Sequence, residues 1–370
     1  MNYIGIAVFA LTLALLAAAI IYVSSRFALF FPYMPKKTYA RGFIVLFIAA
    51  FLCMSLFTTT ANPFGKAAFI FAAIAVSLFL FLLISIALVD ICGLIFKFPP
   101  QKRGFFSVGL ALLLAVYAVW NAYSLKVKEV TIPIKGLTHE IRAVHLTDVH
   151  LGNWRGKEEA DKIARKIQEL NPDVIFNTGD MFDSKAHFGN GKDVLSSFRA
   201  LNIPHYFVYG NHDSYVGVEE VIAQMKNANA AALLNEAVYF GKLQIVGLNN
   251  MLPDNNSFDM HTPAGSETIE SALDKIEIDK TSPVIVLHHR PDGIKYIYES
   301  GADLLLAGHT HGGQIFPFML ASKLIFGYNG GLYQYETMGI HVSEGTGTIF
   351  APIRLGTSSE MTLIKLIPSD

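Results

Sequence analysis

Five short polar clusters in the second part of the sequence carry residue types that bind metals and transfer protons. They are TDVH (147–150), TGD (178–180), GNHD (210–213), HH (288–289) and GHTH (308–311). Each cluster follows a run of apolar residues that predicts a buried β-strand. Because ligands bind outside the carboxyl ends of strands in α/β sheets, the five clusters are expected to converge on one site. One histidine or aspartate in a turn is more often a cap, so the ordered set carries the inference.

The segments between the clusters predict an α/β domain from residue 126 onwards. Short apolar strands alternate with amphipathic helices, which is typical of this class. Segment 157–170, for example, has apolar residues at helical spacing, and further strands are expected within 339–347 and 360–367.

Residues 1–125 have a different character. They contain eight lysines and arginines, one acidic residue (Asp90) and no histidine. Four apolar runs occur there: Tyr3–Val23, Phe43–Ala61, Ala67–Phe96 and Gly104–Leu125. Each run is about long enough to cross a hydrocarbon core, which takes about 20 helical residues. We therefore expect a four-helix transmembrane anchor over residues 1–125 and a separate domain over residues 126–370. Asp90 is expected to reach the membrane interface or to cap a neighbouring helix.

The charge of the second part excludes one class of partner. Residues 126–370 carry 29 acidic residues against 21 basic ones, a formal net charge of −8. An acidic domain does not suit the electrostatics of nucleic-acid binding, so no nucleic-acid partner is expected. The two cysteines, Cys53 and Cys92, lie in the apolar part, so the second part has no disulfide framework.

The distribution of basic residues predicts an orientation in the membrane. The loops after the first and third runs hold seven: Arg26, Lys36, Lys37, Arg41, Lys97, Lys102 and Arg103. The other side holds four: Lys66, Lys126, Lys128 and Lys135. Basic loops favour the cytoplasmic side. The expectation is a multi-pass protein of the cell (inner) membrane with residues 126–370 on the extracytoplasmic side.

The ordered clusters resemble those of a known family. Asp-x-His, Gly-Asp, Gly-Asn-His-Asp, a later His before Arg-Pro-Asp, and Gly-His-x-His together resemble the calcineurin-like metallophosphoesterases over residues 141–314. The segments GHTHGGQIFPF and APIRLGTSSEMTLI are similar to its membrane-associated bacterial branch, which includes Tat-exported phosphoesterases and a UDP-diacylglucosamine pyrophosphohydrolase. The resemblance implies a four-layer α/β/β/α sandwich with two metals at the strand ends. It does not cover residues 1–125.

The resemblance also assigns two overlapping sets of metal ligands. One ion is expected to take Asp148, His150, Asp180 and His311. The other is expected to take Asp180, Asn211, His289 and His309, so that Asp180 bridges the two. His289 is preferred to His288 because the family pattern places one residue between the ligand and Pro-Asp, as in His-Arg-Pro-Asp. Imidazole, carboxylate and amide ligands without a thiolate suit Mn, Fe, Zn or Co, and Mn is favoured.

A pair of ions can activate water and neutralise phosphoryl oxygens, which indicates phosphoester hydrolysis. His212, beside the ligand Asn211, is expected to protonate the leaving oxygen or to stabilise its charge. Two roles are open for Asp213, orienting His212 or capping a helix. Arg290 and Arg354 are candidate contacts for substrate phosphate, with a surface ion pair as the alternative for each. His145 is expected to be a core residue.

The anchor points to the substrate. Four membrane helices would hold the site where lipid-linked phosphates are concentrated, so a lipid-linked phosphoester or pyrophosphate is favoured. Segment 315–335 is rich in Phe, Leu, Ile and Tyr. It is expected either to contact acyl chains or the membrane interface, or to pack on the anchor or the domain core. The alternatives are an enzyme for soluble nucleotides and a non-catalytic membrane scaffold. The scaffold is disfavoured because all seven ligands are present.

Overall fold

A computed structural model describes residues 3–57, 63–188, 193–251 and 267–369. The chain divides into two compact units, Met1–Trp120 and Asn121–Asp370. The sequence-based division at residue 125 thus differs from this boundary by a few residues. His261, to which the sequence analysis gives no role, lies outside the described residues.

Four long helices account for the apolar runs of the sequence. They are α1 (Tyr3–Phe30), α2 (Lys36–Phe57), α3 (Pro63–Ile95) and α4 (Pro100–Tyr123). All four are long and apolar enough to cross a membrane, as predicted. The side chain of Asp90 on α3 lies 2.6 Å from Arg26 Nε on α1 and accepts a hydrogen bond of 2.6 Å from Tyr22. This carboxylate is therefore paired with a cation on another helix.

The second unit contains the remaining described strands and helices. The strands are β1 (Lys126–Lys135), β2 (Ile141–Leu146), β3 (Val174–Asn177), β4 (His205–Phe207), β5 (Ala230–Ala232), β6 (Glu236–Phe240), β7 (Leu243–Gly247), β8 (Val284–Leu287), β9 (Leu304–Ala307), β10 (Gly331–Tyr335), β11 (Met338–Val342) and β12 (Glu360–Ser369). The helices are α5 (Lys157–Leu170), α6 (Ser196–Arg199), α7 (Asn211–Val216), α8 (Val218–Asn227), α9 (Ile269–Leu273), α10 (Ile294–Glu299) and α11 (Phe318–Ile325).

The strands form two six-stranded sheets. The first has the order β1-β12-β2-β3-β4-β5, and the second has the order β10-β11-β9-β8-β7-β6. Strands β2 to β5 run parallel, as do β7, β8, β9 and β11. Strand β12 lies between β1, to which it is parallel, and β2, to which it is antiparallel.

Hydrophobic side chains on both faces of each sheet set the layers. Along β2, Ala143 faces a core shared with the second sheet, whereas Val144 faces α5, because side chains alternate along a strand. The outer face of the second sheet packs against Ile269 of α9 and Ile297 of α10. The predicted four-layer α/β/β/α sandwich is therefore confirmed, with both sheets buried on both faces as their parallel strands require.

Candidate metal centre

The loops that follow β2, β3, β4, β8 and β9 bring all seven predicted metal ligands together. The residues are Asp148, His150, Asp180, Asn211, His289, His309 and His311. Asn211 opens helix α7, and the others lie in turns directly after a strand. All are buried except His309, which is half-buried. Parallel strands end at a common edge, which explains how five distant sequence clusters form one site.

The backbone of these loops is unusual for its residue types. Five of the seven residues have left-handed backbone angles, with φ between 49° and 69°: Asp148, His150, Asp180, His309 and His311. Such angles are uncommon outside glycine and cost about 1–3 kcal/mol each. They persist where the surrounding structure determines them, and they cluster at functional sites. These strained turns therefore direct the side chains of the candidate ligands towards one centre, at a cost in conformational energy.

Three side chains form the first group of ligands. His311 Nε2 lies 3.1 Å from Asp148 Oδ1, and His150 Nε2 lies 3.0 Å from His311 Nε2. The distance from His150 Nε2 to Asp148 Oδ1 is 3.7 Å. Burial raises the pKa of Asp148, but His311 and His150 lower it more, so its pKa falls well below the usual range. The carboxylate is held ionised among imidazoles.

The second group meets the first at Asp180. Its Oδ2 lies 3.1 Å from His289 Nε2 and 3.9 Å from His150 Nε2, so one oxygen faces both groups. Across from it, His309 Nδ1 lies 2.9 Å from Asn211 Oδ1. Burial opposes a charge on His289, yet the nearby Asp180 carboxylate raises the pKa of His289 to about 9.

Divalent cations fit this arrangement of donors. Asp148 Oδ2 accepts hydrogen bonds from Thr147 Oγ1 at 2.8 Å and from the His309 backbone at 3.1 Å. Its other oxygen, Oδ1, is buried and makes no hydrogen bond, and the same holds for His289 Nε2. Buried polar atoms without partners are costly, and a bound cation would satisfy both. A donor set of carboxylate, imidazole and amide groups suits divalent transition metals.

Hydrogen bonds behind the ligands set which ring nitrogens face the centre. His289 Nδ1 lies 2.7 Å from the Thr178 carbonyl oxygen, to which it donates, so Nε2 is the nitrogen that faces the centre. His150 Nδ1 lies 2.5 Å from Asp183 Oδ1, so its Nε2 likewise faces the site. Outer contacts of this kind orient metal-binding histidines and tune their basicity.

Asp183 is a site residue that the sequence analysis missed. Its Oδ1 contacts His150 Nδ1 and also lies 2.8 Å from His212 Nδ1, so one carboxylate orients a ligand and the predicted acid. The signal in the sequence was the second aspartate of GDMFD, three residues after Asp180.

The structure corrects the orienting role considered for Asp213. Its Oδ1 accepts from the Phe182 backbone at 3.0 Å, and its Oδ2 accepts from the Gly210 backbone at 3.0 Å. Asp213 is therefore the cap of α7, which was the alternative interpretation. Burial, together with the nearby charge of Asp180, raises the pKa of Asp213 to about 7.

His212 lies at the open side of the centre. Its backbone donates to Asp180 Oδ1 at 2.8 Å, and its side chain is 31% exposed. Burial lowers the pKa of His212, but the carboxylates of Asp180 and Asp183 raise it above the usual value. A protonated imidazole in contact with both solvent and the centre is suited to donate a proton.

The structure corrects the assignment of Arg354, and for Arg290 it shows the ion pair that was the alternative, although this pair is buried. Arg354 is fully buried, and its guanidinium donates to main-chain oxygens of His311 at 3.2 Å and Gly347 at 2.8 Å. It braces the loops around the centre and is neither a surface ion pair nor exposed to a phosphate. Arg290 is also buried, and its Nε lies 2.8 Å from Asp292.

Two further histidines near the strand ends belong to the core. His145 Nδ1 lies 3.0 Å from His341 Nδ1, and His145 Nε2 lies 2.9 Å from Thr178 Oγ1. This is the core position expected for His145. His288 is also buried, and burial lowers its pKa to about 3.

Comparison with known proteins agrees with the fold and the site. A family model described as calcineurin-like phosphoesterase matches residues 141–313. An uncharacterized metallophosphoesterase of Helicobacter pylori is 31% identical over 277 residues, which cover 72% of each chain. A transmembrane protein with metallophosphoesterase domain from Danio rerio is 30% identical over 273 residues, covering 70% of this chain and 61% of that one. The chain belongs to the calcineurin-like metallophosphoesterases.

Membership of this family makes the chain a metal-dependent phosphoester hydrolase. The buried groups of Asp148, His150 and His311, and of Asp148, Asp180 and His289, are its candidate positions for divalent metals. The four apolar helices and the transmembrane relative indicate a membrane protein.

Proposed function

We propose that this protein is a membrane-anchored hydrolase that uses two divalent cations to cleave a phosphoester or pyrophosphate bond of a lipid-linked substrate. One observation carries the proposal: the buried Asp180 carboxylate lies 3.1 Å from His289 and 3.9 Å from His150, between two groups of candidate ligands, in a chain with four helices that can cross a membrane. Two cations joined by one carboxylate are typical of phosphoryl-transfer hydrolases.

The ligands divide between the two cations as the shared carboxylate suggests. Asp148, His150 and His311 would hold one, and Asn211, His289 and His309 the other, with Asp180 common to both. When bound, such ions activate water and neutralise charge on phosphoryl oxygens. Manganese is the favoured metal, with iron, zinc and cobalt as alternatives, because these ions accept mixed nitrogen and oxygen ligands.

The protein's own groups supply proton transfer and orientation. His212, held by Asp183 at 2.8 Å, would protonate the leaving oxygen of the substrate. Asp183 stabilises the charged imidazole and fixes which nitrogen faces the substrate. The buried ligands around it exclude bulk water, which strengthens every electrostatic contact in the centre.

The substrate proposal rests on where a membrane anchor holds the site. A bilayer surface concentrates lipid-linked phosphates, and a soluble nucleotide gains nothing from such an anchor. The test is turnover by the full-length, metal-loaded protein on micellar lipid phosphates, lipid pyrophosphates and soluble nucleotides. Preferred cleavage of the lipid substrates is expected, and equal or faster cleavage of nucleotides would refute the lipid-linked proposal.

A single substitution tests the metal-dependent reaction. Asp180→Asn removes the shared charge and should abolish turnover on every substrate while the circular dichroism spectrum is unchanged. Asp193→Asn is the matched control, because Asp193 is exposed and pairs with Arg199 at 2.5 Å. Full turnover by Asp180→Asn would end the proposal of a two-cation hydrolase.

We also propose that the protein resides in the cell (inner) membrane with the catalytic unit on the extracytoplasmic side. The support is the seven basic residues that lie between the first and second and between the third and fourth apolar runs, against four on the other side. Lys242→Cys places a thiol on an exposed turn, after Cys53 and Cys92 are replaced by serine. An impermeant maleimide should label intact cells, and labelling only after lysis would reverse the orientation.

A further inference from the structure

An exposed apolar surface lies along α11 and the residues that precede it. We call it the apolar rim, and it consists of Phe316, Phe318, Leu320, Leu324 and Ile325. The exposed fraction of these side chains rises from 44% at Phe316 to 89% at Leu324. Clustered exposed apolar residues of this size mark a contact with a partner or a membrane.

The pattern of α11 is inverted relative to a helix on a water-facing surface. Its one buried residue is Ser322, whose hydroxyl donates to Asn329 Oδ1 at 2.9 Å. Leu320, Leu324 and Ile325 face outwards instead. A helix that packs on a core in water normally buries its apolar residues and exposes its polar ones. The outward face of α11 is therefore suited to an apolar surrounding.

The apolar rim is attached directly to the candidate metal centre. Phe326, the residue after α11, packs its ring edge-on against the His309 ring, with 5.5 Å between centroids. At the other end, the Phe316 backbone donates to the Leu355 carbonyl at 2.7 Å. The Phe326 end of the rim thus contacts a candidate ligand, and the Phe316 end follows the loop of His309 and His311 in the chain, so whatever covers the rim lies beside the centre.

The charge of the segment indicates which surface covers it. Residues 315–335 contain one charged residue, Lys323, and no acidic residue, whereas residues 126–370 as a whole are acidic. Lys323 is exposed on the same helix as Leu320 and Leu324. A short helix with apolar side chains and a lysine matches the boundary of an anionic bilayer, where acyl chains and phosphate groups meet.

We propose that the apolar rim inserts into the headgroup boundary of the bilayer, so that the metal centre opens at the lipid surface. This inference rests on the proposed function for its substrate, but insertion itself is independent of which bond is cleaved. A bilayer is favoured over a second copy of the chain because the four spanning helices already keep the protein in contact with lipid.

A fluorescent label measures insertion directly. Leu324→Cys is introduced into the full-length protein with Cys53 and Cys92 replaced by serine, and it is labelled with an environment-sensitive fluorophore. The protein is reconstituted in vesicles of phosphatidylcholine and phosphatidylglycerol. We expect blue-shifted emission and quenching by lipids brominated on their acyl chains. The same label at Lys242→Cys should keep the emission of a water-exposed group.

Each outcome has a defined meaning. Emission at position 324 that matches position 242 would overturn the proposal. A blue shift without quenching by brominated lipids would also overturn it, because protein, such as a second copy of the chain, would then cover the rim. Quenching at position 324 in a protein that cleaves no lipid phosphate would support insertion and refute the proposed substrate.

A kinetic experiment tests the consequence for turnover. Leu320→Ser with Leu324→Ser replaces two exposed side chains, so the fold should be unaffected. Turnover of a lipid phosphate in vesicles should fall about tenfold or more, because the apolar area available to the bilayer is reduced. Turnover of water-soluble p-nitrophenyl phosphate should be unchanged. Equal turnover of vesicle substrate by the variant and the parent protein would contradict insertion as the route to substrate.

Discussion

Asp183 shows how one carboxylate organises two histidines with different tasks. The same oxygen lies 2.5 Å from His150, which faces the first group of ligands, and 2.8 Å from His212, the candidate acid. Metal affinity and proton transfer are therefore expected to be linked through one residue outside the predicted ligand set.

The first prediction concerns Asp183→Asn. An asparagine keeps the size of the side chain but loses the charge that orients both rings. We expect metal affinity to fall about 10–100-fold, as for other changes behind metal ligands, together with a lower kcat. Titration calorimetry with Mn²⁺ measures the first effect, with Asp193→Asn as control. An affinity equal to that of the control would show that Asp183 does not orient His150.

For single residues, the sequence predicted the metal ligands, which occur in motifs of fixed order, and missed the hydrogen-bond partners that only the fold brings together. The seven ligands follow strand ends in a recognisable sequence of motifs, so they could be predicted. The partners of Asp183 and Asp213 could not be predicted. Both aspartates lie near Asp180 and His212 along the chain, so sequence position alone does not tell which of them orients His212. Arg354 was misassigned because its carbonyl partners come together only in the folded loops.

At the scale of elements, strand ends and their turns place the ligands, and one glycine shows how closely they pack. A Cβ at Gly308, which follows β9, would lie 2.2 Å from Thr147 Oγ1 and 2.3 Å from Asp148 Oδ2. The turn after β9 thus approaches the turn after β2 too closely for any other residue.

The second prediction concerns Gly308→Ala. The added methyl group must displace Asp148, so we expect loss of bound metal and a destabilisation of about 1–3 kcal/mol from overpacking. Gly327→Ala is the matched control, because its Cβ would meet no atom within 4 Å. Metal content by mass spectrometry and thermal unfolding measure both effects. Full metal content in Gly308→Ala would show that the turns can separate without losing the site.

The predicted elements were those with strong local signals. The helix at 157–170 and the strands before the polar clusters were expected because their apolar periodicity is clear. Strands β1, β5, β6 and β10 were not specifically predicted. All four lie at the edges of the two sheets, where burial on one side weakens the sequence pattern.

At the scale of the whole molecule, the last turn of α4 belongs to the catalytic unit. Asn121 donates to the Thr357 carbonyl at 2.8 Å, and Arg155 donates to the Ala122 carbonyl at 2.9 Å. Lys162 donates to the Tyr123 carbonyl at 2.5 Å. Side chains of the unit therefore satisfy carbonyl groups that would otherwise be unpaired at the end of this helix.

The third prediction compares two fragments of the chain. Residues 126–370 lack these contacts and leave the buried Arg155 without its carbonyl partner, whereas residues 121–370 keep them. Hydrogen bonds from charged donors contribute about 1.5–3 kcal/mol each, so the longer fragment should be more stable by about 3 kcal/mol. Scanning calorimetry measures the difference. Equal unfolding temperatures would show that the last turn of α4 adds nothing to the unit.

The overall organisation was predictable because it depends on composition. Apolar runs near the length of a bilayer predicted the four helices, and the alternation of strands and helices predicted the α/β sandwich. The position of the boundary between the units could not be predicted in this way. In the sequence, Asn121 and its neighbours look like the end of an apolar run, and their partners lie more than 30 residues away.

The position of β12 affects how the catalytic unit is made on the ribosome. Strand β12 lies between β1 and β2, and its ten residues pair with all ten of β1. Among the described strands, β1 is made first and β12 is made last. Strand β1 therefore has no neighbour in the sheet until β12 has been made. Until then β1 has an open edge, which is a site for wrong pairing.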